Sequence, residues 1–390
     1  MPDEAYMYWL STLYALGSQK QNRILEYFGD PREAFEAPPE SLRMISGFTE
    51  NNVRTTLHER NQRQLEYGYN SLERAGIHFI SRTHPDFPSL LAEIPDPPIG
   101  LFYIGSLPDD TFAHVAVIGS RRCSEYGLAI SKSFSYDLAQ KGVVVVSGMA
   151  RGIDGMAHRG ALEGGGFTVA VLGCGVDICY PSENWALRND IVRSGCIVSE
   201  YPPGVTPQPY YFPARNRIIS GLSKVVVVVE ATLKSGTQLT VNQALDQGRD
   251  IMAVPGNITT KYSAGTNALI QQGAEPATCP DDILCVLSVA AIANRRTNMN
   301  RTISTNPASK AADKTVNTTV ENNENAIGTN PCIAPEEKLV YDTLTFEPCV
   351  FDEIVARTNS QPQTIQYILT SLELKGLVEK RPGMRYLRKR

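Results

Sequence analysis

The strongest pattern in the chain is a short apolar run that recurs about every 25–30 residues between 113 and 288, separated by stretches of helical spacing. The runs are Val115–Ile118, Val143–Val146, Thr168–Leu172, Cys196–Ser199, Lys224–Val229 and Ile251–Val254. Consecutive valines at 143–146, without polar alternation, describe a strand buried on both faces. Between the first two runs, Leu128, Ile130, Phe134 and Leu138 give Tyr126–Gln140 the period of a helix. Glycine-bearing turns follow each of these strands: Gly119-Ser120-Arg121-Arg122, then Ser147 to Asp154. Strand, helix and strand with short links form a βαβ unit. The repetition predicts an α/β fold with an extended, doubly wound Rossmann-like sheet.

The flanking patterns differ. Residues 1–75 read as a helical domain, SAM- or helix–hairpin–helix-like. Ser41–Phe48 followed by Thr49–Leu57 reads as helix, glycine turn, helix. Such a hairpin either holds a DNA backbone on its turn amides or simply packs a small α domain. Ile77–Ile80 and Leu101–Ile104 are strand-like, and the proline-rich stretch between them predicts an irregular crossing at the sheet edge. Together with the repeats they set the main domain at 77–288. Residues 289–334 are rich in Asn and Thr, and no aromatic follows Asn294 there, the composition of a disordered tether. Residues 335–390 return to apolar periodicity, with helices expected at Glu337–Leu344, Phe351–Thr358 and Gln361–Lys375. A Pro-Gly hairpin over Leu377–Leu387 completes a winged helix. Its recognition helix would be Gln363–Leu372, with Gln363, Gln366, Thr370 and Glu373 outward. That face suits a protein contact at least as well as duplex DNA.

Composition narrows the classes. A net charge of −4 argues against a generally basic nucleic-acid binder but leaves a local basic patch open. Eight cysteines without a CxxC pair disfavour a zinc cluster or disulfide framework, and reduced thiols in a cytoplasmic chain fit better. No basic residue precedes Lys20, unlike a secretory signal, and no apolar run is long enough to span a membrane.

The candidate chemistry collects after the strands. The first turn supplies Gly119, Ser120, Arg121 and Arg122; the second supplies Gly148, Arg151 and Asp154, with His158 one helical turn on. Glycine lets backbone N–H groups approach a phosphate, and arginine offers a planar donor fork. Asp154 and His158 permit a metal or general-base reading; a helix-start cap and a hydrogen-bonded histidine is the simpler one. Tyr210-Tyr211-Phe212-Pro213-Ala214-Arg215-Asn216-Arg217 leads aromatics into a helix start carrying two arginines. A base can stack on the aromatics while a phosphate sits at the helix N-terminus. Alternatively the aromatics are core and the arginines pair with Glu200 and Glu230. A dinucleotide G-x-G-x-x-G turn, a Walker lysine motif and a G-x-S-x-G elbow are all absent from the sequence.

Four segments in order resemble the DNA-processing protein A family, DprA or Smf: Val117–Arg122, Ser147–His158, Phe212–Ser223 and Val254–Asn257. One departure is Gln238, in Ser235-Gly236-Thr237-Gln238-Leu239-Thr240, where the family usually has an aliphatic residue. The resemblance implies single-stranded DNA binding without sequence preference, a homodimer, and loading of the RecA recombinase in natural transformation. No catalytic residue, cofactor or metal is implied. By motif, Gly119, Ser120 and Arg121 would hold a phosphate, with Phe212, Arg215, Asn216 and Arg217 along the same groove and Lys234, Ser235 and Gly236 in the facing loop. Two other classes remain at this stage. One is a phosphoribohydrolase-like enzyme armed with Glu200, Glu230 and Asp154; the other is a winged-helix regulator with a sensor domain.

Overall fold

The computed structural model describes residues 3–288, 340–345, 349–358, 362–374, 377–381 and 385–388. They fall into two compact units, drawn from Met1–Pro307 and Ala308–Arg390. The expected tether at 289–334 lies outside the described residues.

The first unit is built on a nine-stranded sheet. Its strands are β1 (His78–Ser81), β2 (Gly100–Gly105), β3 (His114–Ile118), β4 (Val144–Ser147), β5 (Thr168–Leu172), β6 (Cys196–Ser199), β7 (Val225–Val228), β8 (Asp250–Ala253) and β9 (Glu275–Pro276). The order is β1-β2-β6-β5-β4-β3-β7-β8-β9. From β6 to β9 every pairing is parallel; β2 runs antiparallel to β6, and β1 to β2. The proline-rich crossing therefore extends the sheet edge, as expected from 77–112. Winding starts at β3, proceeds outward to β6, then returns to β7 on the other side of β3. The β3–β7 junction is thus the topological switch point, where a crevice opens beyond the strand ends.

The valine strands are buried on both faces and sort their side chains by parity. Ala116, Val144, Val146, Val226 and Val228 face one layer, built from α7 (Ser89–Ala92), α11 (Tyr211–Gly221) and α12 (Thr237–Asp246). Val115, Val117, Val145, Val225 and Val227 face the other, where α8 (Glu125–Gln140) and α9 (Ile153–Glu163) lie. Gly160 lets α9 press against α8, since a Cβ there would collide with the Lys132 carbonyl oxygen.

Six helices within Asp3–Arg74 cover the remaining strands. Trp9, Leu10, Ile24, Leu42 and Leu72 share one apolar cluster with Phe102, Ala170, Leu172 and Ile197. The boundary read at residue 76 therefore separates two sequence textures but not two cores. The glycine hairpin is present between the helices Pro39–Arg43 and Glu50–His58, with Gly47 at φ +76°. Its amides are largely satisfied internally. Thr49 N–H donates to Asn52 Oδ1 at 3.0 Å, and Asn52 N–H donates back to Thr49 Oγ1 at 3.4 Å. Glu50 at the second helix start pairs with Arg43, which sets negative charge where a phosphate would sit.

The second unit has the helices Phe351–Thr358 and Pro362–Leu374 and a three-stranded sheet ordered Cys349–Val350, Arg385–Arg388, Val378–Arg381. Ile354, Ile365, Leu369, Leu372, Val378 and Tyr386 form its core. Helices and hairpin thus match the winged helix expected. Of the expected first helix, 340–343 is helical within the described residues. Gln366 and Glu373 are exposed, as read from the sequence, while the side chains of Gln363 and Thr370 lie outside the described ones.

Gly160→Ala is expected to lower the denaturant midpoint, equivalent to about 1–3 kcal/mol, because the helix pair must separate to admit one methyl group. Equilibrium urea unfolding followed by circular dichroism checks it.

Candidate nucleic-acid interface

The switch point is shaped by close backbone approaches. Ser120 N–H donates to the Glu230 carbonyl oxygen at 2.8 Å, joining the turns after β3 and β7. Gly152, at φ +77°, brings the turn after β4 against the Ser120 carbonyl, where a Cβ would lie 2.5 Å from that oxygen. Ser147 Oγ donates to the Val117 carbonyl at 2.6 Å, tying the ends of β3 and β4. These contacts leave a cleft of about 710 Å³ lined by the turn Gly119–Arg122, by one face of α11, and by the loops after β7 and β8.

The first three residues of the arginine turn sit where expected, Ser120 inward and Arg121 exposed. The Arg121 guanidinium carbon lies 5.2 Å from the centre of the Phe212 ring, and Tyr180 packs on the same ring at 5.3 Å. Neither Arg121 nor Arg122 forms an ion pair among the described residues, so both charges are open to solvent and ligand. Asn216, Ser235 and Gly236 also line the cleft.

The three arginines named nearby separate by role. Arg215 is buried, and its Nη1 donates to the carbonyl oxygens of Gly148, at 2.9 Å, and of Val171. Burial lowers its pKa to about 10, with Asp154 working in the opposite direction, so it stays charged at neutral pH. Gly148 is the partner of this anchor: a Cβ at 148 would sit 2.7 Å from the guanidinium nitrogens. Arg217 lies outside the cleft lining and only 6% exposed, with Nη2 on Glu200 at 2.6 Å and Nε on Asp96 at 3.2 Å. Burial opposes its charge, but the two carboxylates outweigh it and hold its pKa above the ordinary value. The reading that placed Arg217 along the groove gives way to the ion-pair reading, because five residues of helix turn its side chain roughly 140° away from that of Phe212. Arg151 is exposed and paired with Glu183, and Lys234 is exposed beyond the lining.

The carboxylates considered for catalysis are committed elsewhere. Glu230 is 1% exposed and caps α8: it accepts from Ser124 N–H at 2.8 Å and Ser124 Oγ at 2.5 Å. A carboxylate at a helix start is favoured by the aligned peptide dipoles. Glu200 holds Arg217. Asp154 is buried, its pKa raised by desolvation against the pull of Arg215, and it accepts from the backbone of Ala150 and Gly148. His158 is buried too. Its Nε2 accepts from Met149 N–H at 3.2 Å, which makes Nδ1 the donor to Thr168 Oγ1 at 2.7 Å; that hydroxyl donates onward to the Val145 carbonyl. Met149 stands at φ +53°, a conformation that costs roughly 1–3 kcal/mol for a side-chain-bearing residue. His158 and Asn184, whose Nδ2 donates to the Met149 carbonyl at 2.9 Å, hold it there. The hydrogen-bonded histidine of the simpler sequence reading is found, but the helix-start cap is not: Gly152 is the N-cap of α9, and Asp154, already inside the helix, braces the preceding turn instead.

Two cleft residues escaped sequence reasoning as ligand groups: Lys261 and Tyr262. Lys261 is exposed, with its ammonium 5.3 Å from the Tyr262 ring. Gln238, the departure in the facing loop, bonds Asn242 on its own helix at 3.4 Å and alters nothing in the cleft.

Fold and site together define an extended Rossmann-like protein with a cationic, aromatic-lined cleft at its switch point. A family profile described as DNA recombination-mediator protein A matches residues 78–288, and one described as DprA winged helix domain matches 328–384. The chain is 32% identical to Protein Smf of Synechocystis over 402 aligned residues, covering all of both chains. It is 44% identical to DNA processing protein DprA of Streptococcus pneumoniae over 198 residues, 51% of this chain and 70% of that one. The crystal structure of DprA from Streptococcus pneumoniae superimposes with a TM-score of 0.63 at 35% identity, over 72% of this chain and 97% of the other. The chain belongs to the DprA/Smf family of DNA-processing proteins.

Two outcomes follow from the buried groups. Arg217→Ala is expected to destabilise the fold by about 3–5 kcal/mol, because Glu200 is left buried without its partner; chemical denaturation measures it. His158 is held neutral by burial, aided by the Arg215 charge, down to a pKa of about 3, against an ordinary value of 6.5. Between those values the unfolded chain binds the proton and the folded chain does not. This contribution to stability is complete above pH 6.5 and falls as the pH drops toward 3, with a slope approaching 1.4 kcal/mol per unit, roughly. His158→Gln is expected to flatten the stability profile over that window relative to the wild type.

Proposed function

We propose that the chain binds single-stranded DNA without sequence preference, in the cleft at the switch point, as a cytoplasmic, non-enzymatic protein of DNA recombination. The observation that carries this reading is the Arg121–Phe212 pair: an unpaired guanidinium laid on an aromatic face beside the amide-lined turn Gly119–Arg122. A phosphate fits the guanidinium and turn, and a base fits the rings of Phe212 and Tyr180; every base has a face to stack, so sequence is not read. Arg122, Asn216, Ser235, Gly236 and Lys261 would track the backbone. Arg215 and Gly148 would shape the groove from beneath rather than touch the strand.

Family membership supports the further steps of this reading: protection of incoming strands in natural transformation, a homodimer, and delivery of the strand to the RecA recombinase. The winged helix would add a contact with duplex DNA or a protein.

Arg121→Ala is expected to weaken binding to all sequences alike and to make the salt dependence shallower by about 0.7 log–log units for a lost single-strand phosphate contact. Fluorescence anisotropy with labelled single-stranded and duplex oligonucleotides at several salt concentrations reads both. Unchanged binding by the variant refutes the phosphate assignment, and duplex preference in the wild type refutes the strand assignment.

A further inference from the structure

Three aromatics in succession precede the α11 arginines, and the fold sends them in three directions. Phe212 turns into the cleft, against Tyr180 and Arg121. Tyr211 is buried, packed on Tyr201 with ring centres 4.2 Å apart. Tyr210 points outward and is 65% exposed. Tyr210 is not itself part of the cleft lining, but its chain neighbour Pro209 is, so the exposed ring stands next to the cleft.

The exposed ring is not loosely held. It meets Tyr211 edge-on, with ring centres 4.5 Å apart. Tyr211 in turn rests on Tyr201, and both lie 6.3–6.4 Å from Tyr14 in the short helix Tyr14–Leu16. Four rings, packed mostly edge to face, therefore form a supported cluster that starts within the N-terminal helices and ends beside the cleft in the exposed ring of Tyr210. A large aromatic left in water forgoes the stabilisation that burial would give it. Stacking on a flat, sequence-tolerant partner recovers that contact, and a preorganised ring gives up little freedom in making it.

We infer that Tyr210 is a second base-stacking platform, which receives the nucleotide next to the one seated on Phe212 and leads the strand out of the cleft toward the N-terminal helices. The inference rests on the single-stranded DNA reading above. Its occupant is a nucleobase of the same strand, because the platform is continuous with the cleft through Pro209 and carries no charge of its own. The N-terminal helices then contribute to binding indirectly, through the support of Tyr14 beneath Tyr211.

The test uses the full chain and labelled oligothymidylate in anisotropy titrations across a salt series. Tyr210→Ala is expected to weaken binding on the order of 10-fold, within the range for loss of one stacked base. Its salt slope stays that of the wild type, since no phosphate contact is lost, whereas Arg121→Ala flattens the slope. Tyr210→Phe, which keeps the ring, restores most of the affinity. Because Tyr210 is exposed, the thermal midpoint of the alanine variant should match the wild type and exclude misfolding. Wild-type affinity in Tyr210→Ala, with Arg121→Ala and Phe212→Ala both weakened, overturns the platform and leaves the cleft reading standing. Loss of affinity accompanied by a flattened slope in Tyr210→Ala also overturns it. Failure of the wild type to bind the oligomer removes the underlying reading itself.

Discussion

A single buried guanidinium holds the carboxyl edge of the sheet together. Arg215 reaches from α11 to the carbonyl groups at the ends of β4 and β5, with the Asp154 carboxyl nearby favouring its charge. Burying a charge is expensive unless carbonyls and an opposite charge receive it, and here both do. The arrangement fixes the azimuth of α11, so Phe212 faces Arg121 and the helix start closes one wall of the cleft. It also explains the small residue at 148, since any side chain there displaces the anchor. Around this point the turn at Met149 is held in a left-handed conformation from two sides by neutral polar groups. The floor of the cleft is thus rigid, while its cations stand free at the rim.

Much of this was legible in the sequence. The six apolar strands fell within a residue or two of their observed ends, because strands buried on both faces announce themselves by composition alone. Less visible was the division of labour within α11. Helical spacing does contain it: Phe212, Arg215, Asn216 and Ile219 recur at three and four residues and all line the cleft, while Arg217 is out of phase. Reading the motif as a block of letters hid that phase. Lys261 and Tyr262 lie in a loop without periodicity, and only the folding of β8 beside β7 brings them to the site. The shared core of Asp3–Arg74 with the sheet was invisible for a related reason. A change of secondary structure marks a change of pattern, and pattern does not say which apolar faces meet.

The capping of α8 by Glu230 separates this cleft from the usual nucleotide sites of related sheets. There the helix after the first strand turns its amides toward a phosphate. Here a carboxylate already occupies that end, so anions must be met by side chains and by the turn itself. Flexible arginines follow a backbone of variable shape, which suits a polymer better than a small nucleotide held in one pose.

The common core of the N-terminal helices and the sheet has an evolutionary meaning. Phe102, Ala170, Leu172 and Ile197 on the sheet share one cluster with Trp9, Leu10 and Leu42, and Tyr8 meets Phe79 and Phe102 edge-on at 5.8 and 5.9 Å, so neither partner can be exchanged for an unrelated module without repacking the other. The winged helix carries a core of its own. Exchange of the N-terminal helices therefore means rebuilding the sheet face that they cover. A gain or loss there must drag compensating substitutions through the strands that those helices cover.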